Sequence, residues 1–168
     1  MTANSLTDPD EPDARAYRRA MGAFATGVCG VTVDNPSGAV GLTVNSVTSV
    51  SLEPRLLLWC VDETSERASA FLQGKPFSVH VLSAGEADRA DRFSRGDYRL
   101  SEDETERART GAPVLKGGLA RLDCVLHEQI AMGDHQILIG RVTHVEAHHG
   151  AGLTFFRGRY GRIQEGVE

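Results

Sequence analysis

Apolar residues recur at two spacings along the chain, and the spacings divide it into helices and strands. Tyr17, Met21 and Phe24 fall four and three residues apart behind Asp13, which predicts a capped amphipathic helix over 14–25 with Gly27 as its stop. Residues 28–33 read as a strand, Asn35, Pro36, Ser37 and Gly38 as a turn, and 39–50 as the hairpin partner. The unbroken apolar run 56–61 predicts a fully buried strand. Ala68, Phe71 and Leu72 share one face of a helix expected over 64–73 and stopped by Gly74, and 77–82 is a further strand. Asp, Glu and Arg dominate 84–109, where Ala87, Ala90 and Phe93 are the only regular apolar positions, as in a solvated helix and loop. After a turn-rich connection at 111–118, Ala120, Leu122, Cys124 and Leu126 alternate with Leu119, Arg121, Asp123 and Val125 in a half-buried strand over 119–131. A last strand over 136–147 sets Ile137, Ile139 and Arg141 against Leu138, Gly140 and Val142. Short strands, hairpin turns and few helices give a mainly β fold, a small barrel with helical additions.

A chain of 168 residues suits one domain with its own core. Residues 1–12, polar and carrying two prolines, are expected to be a disordered leader, and 13–168 the folded domain. The net charge of -5, with no dense Lys/Arg cluster, argues against nucleic-acid binding. Apolar runs fall far short of the ~20 residues that cross a bilayer. The N-terminus lacks the basic start and apolar centre of a secretory signal, so a soluble, cytoplasmic protein without a membrane partner is expected. Cys29, Cys60 and Cys124 are far apart and form no Cys-x-x-Cys pair; they read as reduced core thiols.

The stretch 41–51 carries the strongest chemical signal. Thr43, Asn45, Ser46, Thr48, Ser49 and Ser51 are small and hydrogen-bonding, so a phosphate, a ribityl chain or a flat polar ring could approach the backbone closely. An ordinary strand with an exposed Ser/Thr face fits the same composition. No Gly-x-Gly-x-x-Gly or Gly-Lys-Ser/Thr loop supports a Rossmann or P-loop nucleotide site, and no Gly-x-Ser-x-Gly turn supports a hydrolase nucleophile. His144, His148 and His149 lack a matching carboxylate or cysteine cluster and read as solvated, while His80 and His127 read as half-buried strand residues. His135 ends the turn Gly133, Asp134, His135 at a strand mouth, where either a turn residue or a site residue fits. Phe155, Phe156, Arg157, Gly158, Arg159, Tyr160 and Gly161 can cover a flat ring and grip a phosphate, or form a terminal strand with snorkelling arginines.

In their order along the chain these pieces resemble the short-chain flavin reductase family, the reductase components that supply reduced flavin to two-component monooxygenases. The resemblance rests on Arg19 to Gly22 with Phe24 to Val28, on 41–51 with Glu53 and Pro54, and on Phe77 to Leu82. It continues through Phe93 with Ser94, Pro113 with Leu115, Asp123 with Cys124, 133–140 and Gly158 to Tyr160. It implies a split β-barrel, Greek-key-like and homodimeric, holding FMN or FAD in a groove near the subunit interface. Thr43, Val44, Asn45 and Ser46 would contact the flavin, Cys60, Val61 and Asp62 would run beside its ring, and Ser65 would serve its phosphate end. Phe93, Ser94 and Arg95 would close over it. His135, as the catalytic residue, and Arg157, Gly158, Arg159 and Tyr160 would face the nicotinamide nucleotide of NADH or NADPH. Hydride would pass directly from nicotinamide to flavin, which accounts for the lack of a triad.

His80 and Glu86 stand where the family usually has Asn and Gln, and an acid facing the flavin phosphate would weaken binding. A non-catalytic flavin carrier or sensor, and an oxidoreductase that keeps its flavin and reduces another acceptor, remain alternatives on the same barrel. FMN against FAD, and NADH against NADPH, stay open, because Arg95, Arg157 and Arg159 suit either a 2′-phosphate or a pyrophosphate.

Overall fold

The order of strands in a seven-stranded antiparallel sheet dictates the shape of the molecule. The structure is a computed structural model describing residues 13–96, 98–164 and 166; the expected leader 1–12 lies outside them. Helix α1 (Ala14–Gly22) and the short strand β1 (Thr26–Gly27) lead into β2 (Cys29–Asn35), β3 (Gly38–Val44), β4 (Thr48–Leu52) and β5 (Arg55–Asp62). After α2 (Ala68–Phe71) come β6 (Phe77–Val81), a 3-10 turn at Ala84–Glu86, α3 (Ala87–Ser94) and a second 3-10 turn at Glu102–Glu104. The chain ends with β7 (Thr105–Arg107), β8 (Pro113–Leu115), β9 (Ala120–Met132), β10 (His135–Ala147), β11 (Gly152–Phe156) and β12 (Arg159–Ile163).

The sheet order is β3-β2-β6-β9-β10-β5-β4, so the two edge strands are consecutive in sequence and joined by residues 45–47 alone. A flat sheet would hold those edges about 29 Å apart, whereas a three-residue link spans at most about 14 Å. The sheet must therefore curl until its edges approach. The single strand expected over 39–50 is thus two strands at opposite edges. Periodicity carried across the break, because β3 buries Val40, Leu42 and Val44 while β4 is largely exposed and held by its ladder to β5.

Strand β5 corrects a second expectation. Leu57, Trp59 and Val61 are buried but Leu56, Leu58 and Cys60 only half so, because one face meets the core and the other lies near the surface. Trp59 is fully buried and packs edge-on to Phe71 and Phe77, with ring centroids 5.3 and 5.8 Å away. Gly140 is required beside this cluster, since a Cβ there would come within 2.6 Å of Phe77 Cζ.

The helices are shorter than their sequence patterns. Asp13 caps α1 as expected, accepting from the Arg15 N–H at 3.2 Å, but the helix ends at Gly22 and buries no residue. Its stripe exists, yet Tyr17 (60% exposed), Met21 (51%) and Phe24 (69%) are left mostly uncovered among the described residues. The helix expected over 64–73 reduces to Ala68–Phe71. The charged segment after residue 84 does more than expected, because Ala90 and Phe93 on α3 are wholly buried. The connection 111–118 contains β8, whose three residues are buried against the sheet. No helix among the described residues is long and apolar enough to cross a membrane.

Candidate functional site

The curl brings the end of β3 to the end of β5, and a cleft of about 290 Å³ opens between them. Its walls are Leu42, Thr43, Val44, Asn45 and Ser46 on one side and Cys60, Val61, Asp62, Ser65, Arg67 and His135 on the other. A second cleft of about 310 Å³ lies between the same stretch of β3 and the α3 end, lined by Val28, Asp91, Ser94, Arg95, Phe155, Gly158 and Tyr160. Thr43, Val44 and Asn45 line both.

Several of the hydroxyls build the walls. Thr43 Oγ1 donates to the Ala90 carbonyl at 2.8 Å and ties β3 to α3. Ser46 Oγ accepts from the Cys60 N–H at 3.0 Å, prolonging the β4–β5 ladder with a side chain. Asp62 accepts from the Thr64 N–H at 2.8 Å and from its hydroxyl at 2.7 Å, and these bonds hold its carboxyl below the usual range. Arg67 donates to the carbonyls of Phe93 and Ser94 and lies over the Tyr98 ring, joining the loop after β5 to α3.

Backbone groups at the β3 edge add to these side chains. β3 is an edge strand, and the Gly41 N–H donates outward to Tyr98 at 2.8 Å while the Ala39 carbonyl accepts from Leu100 at 3.0 Å. Alternation along a strand turns the N–H and C=O of Thr43 to that same edge, beyond the reach of this cover. A planar ring with both donor and acceptor edges, as an isoalloxazine has, matches that pair of groups. Small neutral side chains around it let the ring approach closely, so the residues present fit a flavin.

Most of the expected site residues converge, and the group 43–46 with 60–62 and Ser65 is the one the resemblance implies. Thr43, Val44, Asn45, Ser46, Cys60, Val61, Asp62 and Ser65 share the first cleft. His135 joins them there, opposite Asp62 in the β5–β10 register and with Nδ1 2.7 Å from Asp134 Oδ1, instead of standing with the C-terminal hairpin. Ser94, Arg95, Gly158 and Tyr160 form the second cleft, where Phe155 and Tyr160 rings lie 5.6 Å apart and Arg95 pairs with Asp91 at 2.8 Å. Burial raises the Tyr160 phenol above its ordinary value. Arg159 is exposed on β12 and lines neither cleft.

Phe93 cannot close over a ligand, because its ring has no exposed surface and sits under β3. Leu42, Arg67, Val28, Asp91 and Phe155 belong to the clefts but were not picked out as contacts. Phe155 carried a signal in the aromatic pair, whereas Asp91 was hidden in a charged run.

The two departures from the family pattern face away from both clefts. Glu86 accepts from the Ser83 N–H at 2.7 Å and its hydroxyl at 2.9 Å and pairs with Arg89, so its charge is spent in a capping box. His80 is fully buried, not half-buried, with Nε2 3.1 Å from Thr32 Oγ1, which itself donates to the Pro113 carbonyl at 2.6 Å. Burial holds the His80 imidazole down to about 3, so it is neutral. His127 is exposed on β9, and His144 bonds to Glu146. Cys29 and Cys124 are buried, with thiols pushed up by burial to about 11 and about 12, while Cys60 is half-buried beside the first cleft.

Comparison with known proteins identifies a family. The pattern described as flavin reductase like domain matches residues 21–164. The chain is 40% identical over 155 residues to the FMN reductase (NADH) SmoA of Agrobacterium fabrum, covering 92% of this chain and 89% of that protein. It is 35% identical over 148 residues to the reductase component of the flavin-dependent trigonelline monooxygenase of Acinetobacter baylyi, covering 87% of this chain. The chain spans about half the length of that relative, 48%. Among solved structures, a Streptomyces globisporus NADH:FAD oxidoreductase in complex with NAD and FAD fragments superposes with a TM-score of 0.83 at 34% identity, over 98% of this chain and all of that one (100%).

Proposed function

The chain belongs to the flavin reductase family of oxidoreductases, and from that premise we propose that it transfers hydride from NADH or NADPH to FMN or FAD and supplies reduced flavin to a partner monooxygenase. The observation that carries the reading is the shared wall of Thr43, Val44 and Asn45, which places two clefts along one strand end. Two planar ligands held on that wall are brought together without a bimolecular search.

The flavin occupies the first cleft, with the Thr43 backbone at the ring edge, Cys60, Val61 and Asp62 beside it and Ser65 towards its phosphate. The nicotinamide occupies the second, against Phe155 and Tyr160, with Val28 and Val44 excluding water. Bound flavin supplies the hydride acceptor, so no protein nucleophile is needed. His135, oriented by Asp134, positions the flavin side of the pair. A wall of neutral hydroxyls and backbone groups lets reduced flavin leave.

The same reading takes the curled sheet as a split β-barrel and the molecule as a homodimer, in which a second copy buries Tyr17, Met21 and Phe24. The free thiols suit a reducing, cytoplasmic compartment.

The test follows NADH and NADPH absorbance with purified protein and added FMN, FAD or riboflavin, after gel filtration has shown whether flavin is retained. Oxidation that saturates with free flavin is expected. Retained flavin without oxidation would select a carrier, and ping-pong kinetics with retained flavin a reductase of another acceptor.

A further inference from the structure

Gly158 lines not only the second cleft but also a hollow of about 500 Å³ between α1 and the turn joining β11 to β12. Its other walls are Arg18, Arg19, Gly22 and Arg157. The turn is pinned there, because the Arg157 N–H donates to the Gly22 carbonyl at 2.8 Å. Arg157 also holds a left-handed backbone (φ 48°), which costs energy in any residue bearing a Cβ and tends to persist at functional sites.

The charges of this hollow are unbalanced. Arg89, Arg92, Arg95, Arg107 and Arg121 each pair with an Asp or Glu. Among the described residues, no carboxylate lies within ion-pairing distance of Arg18, Arg19 or Arg157, in a chain whose net charge is -5. Arg19 in the last turn of α1 is favoured by the helix dipole. That accounts for neither Arg18 nor the convergence of Arg157 from a different part of the chain. The Arg157 guanidinium lies over the Phe156 ring, 5.4 Å from its centroid; cationic side chains lining one space repel one another unless an anion joins them, and planar guanidinium forks match phosphate oxygens.

We propose that this hollow is a phosphate-binding subsite, formed by Arg18 and Arg19 of α1 with Arg157, that takes the diphosphate of the nicotinamide dinucleotide. The inference rests on the reading of the second cleft as the nicotinamide site. Continuity decides between the two dinucleotides, since the hollow shares Gly158 with the second cleft and no residue with the flavin cleft. By helical geometry Arg19 and Gly22 lie on the side of α1 away from the apolar stripe of Tyr17 and Met21, with Arg18 on its flank. A partner covering that stripe leaves Arg19 clear of it.

The first measurement is calorimetric binding of ADP-ribose, which carries the diphosphate but no nicotinamide, to the full chain and to an Arg18→Gln/Arg19→Gln variant. Wild-type binding that the variant weakens about tenfold or more is expected, the loss typical of charge-assisted hydrogen bonds. Equal affinities overturn the proposal. In turnover, the variant should raise the NADH KM with kcat unchanged and leave the phosphate-free donor 1-benzyl-1,4-dihydronicotinamide unaffected, while Arg18→Lys/Arg19→Lys recovers part of the loss. Weakened FAD binding with unaltered ADP-ribose and FMN binding would assign the hollow to the flavin and overturn the proposal. Protein that binds ADP-ribose through these arginines but oxidises neither NADH nor NADPH would refute the reductase reading while the subsite stands.

Discussion

The ring of Phe93 rests on Gly41 so closely that a Cβ at that position would lie 2.9 Å from its Cε2. The contact seats α3 on β3, and with it Ser94 and Arg95 at the second cleft. Gly41→Ala must push the ring, and the helix that bears it, away from the sheet. Thermal or denaturant unfolding should show a loss of about 1–3 kcal/mol, as for other overpacked cores. The NADH KM should rise with it; unchanged stability would mean that α3 moves freely over β3.

Thr43 works through the same helix. Its hydroxyl hydrogen is engaged by the Ala90 carbonyl at 2.8 Å, so its side chain is first a structural tie, and in the proposed function it is the backbone that serves the flavin edge. Thr43→Val should cost about 1 kcal/mol of stability, with flavin affinity falling less than stability does. Affinity can be read from quenching of the single tryptophan, Trp59, which neighbours Cys60 of the first cleft. A large affinity loss with stability intact would show the hydroxyl contacting the flavin directly.

Acid should destabilise the fold through His80. The folded protein keeps this imidazole neutral down to about pH 3, while the unfolded chain takes up a proton near the ordinary 6.5. Between those values the unfolded state binds more protons, so the contribution is intact above 6.5 and is lost as pH falls, by about 1.4 kcal/mol per unit. His80→Asn, whatever its stability at neutral pH, should flatten the dependence of unfolding free energy on pH between about 6 and 4. An unaltered slope would place the acid sensitivity on carboxylates.

How much was legible depended on whether the signal was local. The helix cap at Asp13, strands β2, β6, β9 and β10, and the polar stretch 41–51 that supplies one wall of the first cleft follow from alternation and turn chemistry within a few residues. Strand β8 and the burial of one face of α3 were hidden because turn residues and charges masked short buried segments. Phe93 was a regular apolar position in the pattern, and its closing role came from the family resemblance alone; its burial under β3 depends on tertiary packing.

By itself, the sequence determined which segments extend, where they turn, and that small neutral polar groups gather along 41–51, all set by nearest neighbours and side-chain chemistry. Tertiary structure alone decided that 39–50 splits between opposite sheet edges, that His135 lines the first cleft while Gly158 and Tyr160 line the second, and that Arg18, Arg19 and Arg157 converge. Those facts depend on register and curl, and these follow from the pairing of strands far apart in the chain, which no local spacing encodes.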